Sequence, residues 1–465
     1  MTDSSESQPR SPTIEPSSSA PAAPRRGGAI SLTKIGLIAG LALATIVPNY
    51  FIAGLVGERE TRQDAVEKEF ARTWGPQQQI YGPVLVVPYQ YSGGRSHLKI
   101  APARLDVVAS LDPQERRRGL FHATVYDAKV DLQGIFLLPA EARMKESFTG
   151  KDGRFLWDES FVAFGTTSNL TGLRAEDQVT INGVATPWQP CEETARPEQD
   201  CKGVSVVTAG VRLDPAAAGG TKIPFKSAIS LRGTGVFNVL ALGKEVDVTL
   251  RSPWRTPSFG GDILPLSSTV TASGFEARWQ VSEFGAPRLF GWGSLVDPAM
   301  LKVPVVGVEL IEATPIYRMI TRVAKYGLLF VVLSFATYFF FELLSRLRIH
   351  VVQYGLLGLS LSLFALLLLS LSEPIGYTAG YVVSAALVLI QSTAYTAAIA
   401  RRAAPALGFA GMLASLFVFL YVLLGLETYS LLVGAFSLFA VVSVLMVLTQ
   451  CVNWSAWSLA GGAVE

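Results

Sequence analysis

Acidic residues beside long apolar runs are the side chains of this sequence most able to do chemistry. Glu342, Glu373 and Glu427 each end such a run, and an acid held in a membrane can relay protons or bind a transported ion. Because headgroups and water reach the ends of membrane helices, an interfacial acid or a local ion pair is the favoured interpretation. Arg346 follows Glu342 by four residues and is its predicted partner. A transport or proton-relay role is the alternative.

Other polar side chains mark the same region. Gln391 lies in the middle of an apolar run, and a single buried amide usually joins two helices. Arg318, Arg322 and Lys325 are spaced by four and three residues, so on a helix they form one cationic stripe. The stripe favours anchoring at the membrane interface, and its alternative is binding of lipid phosphate or of an acidic surface on the same protein.

The histidines His97, His122 and His350 are scattered, and no pair has the spacing of a zinc site or of a nucleophile with its base. We therefore predict surface or interfacial positions for them. The sequence has no G-x-S-x-G, HExxH, Walker or dinucleotide-binding motif. It predicts no catalytic residue, no metal site and no cofactor.

Cys191 and Cys201 lie close together in a polar loop without a neighbouring histidine. Their spacing is too wide for a CxxC site, so a disulfide is favoured if the loop is in an oxidising compartment. Two free thiols are the alternative.

The stretch from Arg251 to Trp279 is dense in Trp, Pro, Phe and Gly. Such a composition can make an aromatic binding surface. Packing of Trp254, Phe259 and Trp279 into a domain core is favoured over it.

The composition identifies the elements that must position these residues. Hydrophobic residues make up 50% of the 465 residues and the net charge is only +2, which excludes an ordinary soluble protein and gives no support to nucleic-acid binding. Between residues 80 and 282, short β-branched runs alternate with Gly and Pro, and period-2 alternation is visible at Val246, Val248 and Leu250 and again at Phe275, Ala277 and Trp279. These runs predict antiparallel strands.

The predicted fold is an α+β membrane protein in which a β-rich domain is inserted between one transmembrane helix and a bundle of five. The expected segments begin with a disordered tail at 1–34 and a helix at 35–56 that serves as an uncleaved signal anchor. A β-rich domain follows at 57–321, which is either one unit or two lobes divided near the cysteine loop and residues 214–222. The bundle at 322–450 has spans at 326–341, 351–371, 377–400, 407–426 and 431–449, and a tail follows at 451–465.

Arginines in short loops predict the orientation. The loops at 346–350 and 401–402 carry arginines, whereas those at Glu373 and Glu427 carry no Lys or Arg. By the positive-inside rule both termini are cytoplasmic and the β-rich domain is periplasmic. The cationic stripe would then lie outside, against the rule, which is weak beside long translocated domains.

Short motifs in a fixed order carry a resemblance to a known family. They are GPQ at 75–77, GPVL at 82–85, SPW at 252–254, PSF at 257–259, GF at 274–275, RVAKY at 322–326, FE at 341–342, QY at 353–354 and SE at 372–373. With these motifs the chain resembles the CreD family of bacterial inner-membrane proteins, and it departs from the family in its long Ser/Pro-rich tail, its cysteine loop and the Val351-Val352 step.

The resemblance implies a Gram-negative inner-membrane protein linked to envelope stress, the β-lactam response and colicin tolerance, and it implies no reaction. We therefore expect a non-enzymatic protein whose β-rich domain contacts another envelope component, either a protein or a peptidoglycan-associated partner. A transporter or lipid-handling protein is the alternative, and a sensor is a third. The oligomeric state is left open. We also expect the helix at Tyr326–Phe341 to be the only one connected directly to both the β-rich domain and the cytoplasmic face.

Overall fold

A computed structural model describes residues 32–146, 152–166, 169–170, 172–174, 177–191, 205–214, 219–282, 290–292, 303–311, 316–345, 349–400, 403–426, 432–436, 439–440, 443 and 446. Its helices are α1 (Leu32–Ala44), α2 (Ile46–Thr73), α3 (Glu141–Glu146), α4 (Ile316–Ser345), α5 (Val351–Ile375), α6 (Tyr377–Ala400) and α7 (Ala403–Gly425).

In the described ranges, eighteen strands lie between α2 and α4. They are β1 (Gln78–Tyr91), β2 (Gly94–Ile100), β3 (Arg104–Arg118), β4 (Phe121–Leu137), β5 (Arg154–Phe155), β6 (Phe161–Thr166), β7 (Gln178–Ile181), β8 (Val184–Pro187), β9 (Gln189–Pro190), β10 (Ser205–Gly210), β11 (Lys222–Thr234), β12 (Val236–Leu240), β13 (Glu245–Ser252), β14 (Pro257–Gly261), β15 (Ser267–Thr271), β16 (Gly274–Ser282), β17 (Phe290–Trp292) and β18 (Val305–Leu310).

These strands form two sheets. One has ten strands, with the path β14-β18-β12-β1-β6-β10-β9; β2 and β5 also pair with β1, and β17 pairs with β2. The other has eight strands in the order β15-β16-β13-β3-β4-β11-β7-β8. Most pairs are antiparallel, and β1 with β12 and β3 with β13 are parallel. Both sheets are therefore mixed, because each contains one parallel pair of strands that are distant in sequence.

The two sheets share one hydrophobic core. The alternation predicted from the sequence is confirmed, since Val248 pairs with Trp279 and Leu250 with Ala277, and all four side chains are buried. Core residues come from both sheets, with Phe164 and Val207 on the ten-stranded side. Strands before and after residues 214–222 pair within the same two sheets, and the described strands form a sandwich.

The first membrane helix continues into the sandwich. A helix of 41 residues, Thr33–Thr73, contains α1 and α2, so the helix predicted at 35–56 and the charged segment after it are one rod. Its far end is held against the eight-stranded sheet, where Gln63 Nε2 donates to the carbonyl of His122 at 2.5 Å and Trp74 Nε1 donates to the carbonyl of Tyr126 at 3.3 Å. Burial raises the pKa of Tyr126, whose hydroxyl donates to the carbonyl of Val236 at 2.6 Å.

Four helices in the described part of the chain are long and apolar enough to cross a membrane, and α4 makes a fifth if its two parts, which meet at 42°, count as one span. The start of α5 and both ends of α6 coincide with the predicted bounds. In contrast, α4 begins ten residues before the predicted Tyr326, so the short span of the sequence prediction becomes a helix of 30 residues. Most of the predicted span at 431–449 lies outside the described residues.

Helices α1 and α2 pack against α4 and α5, and α4, α5, α6 and α7 pack in a ring. The sequence predicts that Tyr326–Phe341 is the only helix connected directly to both the β-rich domain and the cytoplasmic face, but the helix Thr33–Thr73 also joins the β-rich domain to the far end of the bundle. Helix α2 reaches from the bundle to β4 and β11 without a break, whereas the link between β18 and α4 passes through residues 312–315, outside the described set.

Candidate functional site

Glu342 is the centre of a buried polar cluster at one end of the bundle. It lies near the end of α4, and its side chain is 6% exposed. One carboxylate oxygen accepts from Lys34 Nζ and from the backbone amide of Ile349, the latter at 3.0 Å. The other oxygen accepts from the Tyr354 hydroxyl at 2.9 Å. The cluster therefore joins α1, α4 and α5, and we name it the Glu342 clamp.

The predicted partner of Glu342, Arg346, lies outside the described residues, and the observed cation is Lys34. Of the two favoured interpretations, an interfacial acid or an ion pair, the structure has an ion pair, and the side chain itself is buried. A buried carboxylate needs both a cation and hydrogen bonds to offset its desolvation, and here it has both.

Glu373 forms a second cluster at the opposite end of α5. Its side chain is also 6% exposed, and it accepts from the Tyr317 hydroxyl at 3.1 Å and lies 3.7 Å from Arg59 Nη1. This cluster joins α2, α4 and α5, and we name it the Glu373 clamp. Tyr354 and Glu373 are separated along α5 by about 28 Å at 1.5 Å per residue, close to the thickness of the hydrocarbon core. The two clamps thus hold the same helices at their two ends.

Sequence reasoning singled out both glutamates and missed their partners. Lys34 precedes the apolar run at 35–56 and Arg59 follows it, and neither has the i,i+4 spacing that favoured Arg346. Their position relative to the membrane could have identified them. Lys34 and Arg59 lie about 37 Å apart along one helix, at the two ends of the same span. The cation at each end of this span is matched by an acid near the end of α4 and another near the end of α5.

The three residues of the cationic stripe differ in exposure. Arg318 and Lys325 are exposed, whereas Arg322 is half-buried and its Nη1 donates to the carbonyl of Leu424 at the end of α7, at 3.3 Å. Arg322 therefore joins α4 to α7 beside the Glu373 clamp.

Gln391 joins α6 to α5, because its side-chain oxygen accepts from Ser360 Oγ at 3.2 Å. The two residues line a cavity of about 180 Å³ together with Ser392, Thr396 and Tyr395. The hydroxyl of Ser392 is buried and has no hydrogen-bond partner in the structure. Leucines of α5 make up much of the remaining lining, so the cavity is mainly apolar with a few polar groups.

The aromatic residues of the 251–279 stretch pack into the sandwich. Trp279 is fully buried and donates to the carbonyl of Ile263 at 3.0 Å, and Trp254 is partly buried and donates to that of Ile311 at 2.8 Å. The Phe259 ring meets Trp279 edge-on with 5.9 Å between centroids. These contacts make the three rings part of the core.

The histidines and cysteines hold structural positions. His97 is buried against Phe161, which makes the prediction of a surface position wrong for this residue. His350 caps α5, since its ring accepts from Val352 N at 3.3 Å. Cys191 is disulfide-bonded, and Cys201 lies outside the described residues. Within the described ranges no cluster of three His, Cys, Asp or Glu side chains could hold a metal ion.

Known proteins share sequence similarity with this chain. The family model described as Inner membrane protein CreD matches residues 31–455. Inner membrane protein CreD of Escherichia coli (strain K12) is 26% identical over 441 residues, which cover 92% of this chain and 94% of that protein. The solved M1 zinc metallopeptidase of Deinococcus radiodurans aligns with 46% of this chain and 42% of that one, at 8% identity and a TM-score of 0.21, and such a likeness carries no argument. The match to the family model extends over most of the sequence, and the chain belongs to the CreD family of inner membrane proteins.

Proposed function

We propose that this protein is a non-enzymatic inner-membrane protein that supports the integrity of the cell envelope, and that its sandwich binds another envelope protein on the periplasmic side. The observation that carries the proposal is an exposed apolar edge. Strand β15 is at one edge of the eight-stranded sheet. Leu264 and Leu266, just before it, are 74% and 70% exposed, and Val270 within it is 49% exposed. We name these three residues the β15 patch.

An exposed edge strand with apolar side chains invites pairing with another chain, and proteins usually protect such edges. All five residues of β15 are exposed, so neither face of the strand lies on the core. A partner protein can add a strand to this edge and cover the leucines, which combines main-chain hydrogen bonds with side-chain burial.

The charges of the loops support the periplasmic side. The sandwich lies at the Glu373 end of the bundle, and in the sequence the arginines at 346–348 and 401–402 follow α4 and α6. Because loops with Arg and Lys tend to stay in the cytoplasm, the proposed orientation has cytoplasmic termini and a periplasmic sandwich. Because the sandwich is joined to the bundle by a continuous helix, a partner bound to it is tied to the membrane.

In-cell photocrosslinking tests this proposal. A benzophenone amino acid replaces Leu266, and the matched control replaces Val184, which is 66% exposed on β8, the opposite edge of the same sheet. We expect a discrete protein adduct from position 266 and none from position 184. The double substitution Leu264→Ser and Leu266→Ser should remove envelope-stress tolerance while the protein level is maintained. Full tolerance in that variant, or the same adducts from both positions, would reject the patch as the contact.

The cavity around Gln391 favours a second candidate function, lipid handling by the bundle. A cavity lined mainly by leucines, with a few polar groups at Gln391, can accept part of a lipid chain and the polar group next to it. Gln391→Ala should then lower tolerance at an unchanged protein level, and Ser415→Ala, a hydroxyl change on the exposed face of α7, is the control. Wild-type tolerance in Gln391→Ala would leave the sandwich as the functional part.

A further inference from the structure

The hairpin of β3 and β4 extends beyond its neighbours in the sheet. Strand β13 pairs with β3 only over Arg104–Ser110, and β11 pairs with β4 only over Val125–Leu137. Residues 111–124 therefore form a two-stranded projection, which we name the β3–β4 ribbon. Gly119, with a φ of 62°, and Leu120 make its two-residue turn, as the twist of a tight hairpin requires.

The ribbon points toward the membrane. Strand β4 and helix α2 run in the same direction, because His122 contacts Gln63 and Tyr126 contacts Trp74 farther along both elements. The turn that precedes His122 is thus on the membrane side of Gln63. Leu120 lies about 7 Å below His122 at 3.3 Å per residue.

That distance brings the turn to the level of the Glu373 clamp. Arg59 lies one helical turn before Gln63 and is paired with Glu373 near the end of α5. Glu373 is close to the end of a span that runs to Ile375. The tip of the ribbon therefore reaches the membrane interface beside α2.

The chemistry of the tip suits a surface of phosphate groups. Arg117 is 76% and Arg118 60% exposed, and Leu120 at the apex is 51% exposed. In the structure Arg117 meets Glu115, and Arg118 meets Glu69, which lies six residues beyond Gln63 on the side of α2 away from the membrane, so both side chains lean back from the turn. Both bridges are exposed and such bridges contribute little, so each long side chain can turn toward phosphate groups instead. Guanidinium groups bind phosphate in a forked geometry, and a single leucine can enter the interfacial layer.

We propose that the β3–β4 ribbon is a membrane-docking element, in which Arg117 and Arg118 bind the phosphates of anionic phospholipids and Leu120 inserts among the headgroups. Charge complementarity selects this occupant, because a basic tip at the level of the interface meets anionic lipid before any other partner. The ribbon is then a second support for the sandwich beside α2. The inference is independent of the β15 patch and of the direction in which the chain crosses the membrane.

Photocrosslinking in vesicles tests the docking. The full chain is reconstituted into vesicles of phosphatidylethanolamine with phosphatidylglycerol, and into vesicles of phosphatidylcholine alone. A benzophenone amino acid replaces Leu120, with Val184 as the control because it is similarly exposed at the far end of the sheet. Mass spectrometry then measures lipid adducts. We expect adducts from position 120 in the phosphatidylglycerol vesicles, far fewer in phosphatidylcholine, and none from position 184.

Charge variants complete the test. Arg117→Gln with Arg118→Gln should lower the adduct yield several-fold, because each basic residue near an anionic surface strengthens attachment roughly fivefold. Lysine at both positions should retain more of the yield than glutamine does, because it keeps the charge but not the forked geometry. Tryptophan fluorescence checks that each variant is folded. The proposal is overturned by adducts confined to α2 of the same chain, by equal lipid yields at positions 120 and 184, or by yields that ignore the lipid charge.

Discussion

Removal of the negative charge at the Glu342 clamp tests whether this cluster stabilises the bundle. Glu342→Gln keeps the size of the side chain and one oxygen acceptor for Tyr354 or Ile349. It leaves the Lys34 ammonium, which is 20% exposed, without its anion. Breaking a fully buried pair costs about 3–5 kcal/mol. Because Lys34 keeps partial access to water, we expect a loss of about 2 kcal/mol.

A double-mutant cycle separates the pair from its surroundings. Lys34→Met should also cost about 2 kcal/mol, since it leaves a buried carboxylate without a cation. The double variant leaves no orphan charge, so it should lose about 2 kcal/mol instead of the additive 4, which gives a coupling of about 2 kcal/mol. The matched control is Glu58→Gln on α2, which removes an exposed i,i+4 bridge to Arg62 and should cost less than about 0.5 kcal/mol.

The assay reads the two parts of the protein separately. Far-ultraviolet circular dichroism of the purified full chain in detergent follows the helices. Tryptophan fluorescence follows the sandwich, where Trp157, Trp188 and Trp279 are buried. A loss of about 2 kcal/mol should lower the helix midpoint by roughly 4–8 °C and leave the fluorescence midpoint in place. Additive losses in the double variant would refute the clamp, because Lys34 and Glu342 would then act independently.

Three further substitutions test other contacts with the same assay. Glu373→Gln should lower the free energy of unfolding of the helices by about 1 kcal/mol, and so shift the helix midpoint less than Glu342→Gln does. The reason is that Arg59 is 38% exposed and its Nη1 lies 3.7 Å from the Glu373 carboxylate. A loss equal to or larger than that of Glu342→Gln would contradict this ranking. Gly358→Leu should destabilise the bundle by about 1–3 kcal/mol, since a Cβ at this position would lie 2.8 Å from the Phe335 ring; an unchanged midpoint would show that the ring moves freely. Trp279→Ala should destabilise the sandwich by about 3–5 kcal/mol, measured by denaturant unfolding, and should leave the helix midpoint unchanged.

The parts of the fold that follow from local pattern were predictable from the sequence. An unbroken apolar run defines a membrane helix by itself, so the start of α5 and the bounds of α6 agree with the predicted ones. The alternation at Val246, Val248 and Leu250 likewise identified β13 and the face that it buries. These features depend only on neighbours along the chain.

The parts that depend on distant partners were not predictable in the same way. Lys34 and Glu342 are 308 residues apart in sequence, and the local i,i+4 rule favoured Arg346 instead. The length of α4 was underestimated for a related reason. Hydropathy indicates where lipid begins, whereas the helix continues through Arg318 and Arg322 because neighbouring helices and the Glu373 clamp support it.

The two clamps have different positions relative to the sandwich, and this assigns them different roles. Any tilt of the sandwich acts first on α2, because Gln63 and Trp74 hold β4 directly. One turn below Gln63, Arg59 meets Glu373, so the Glu373 clamp is the joint through which the tilt reaches α4 and α5. The Glu342 clamp lies a full span away and stabilises the bundle without touching the sandwich. A substitution at Glu373 should therefore loosen the link between sandwich and bundle, even though it costs less stability than one at Glu342.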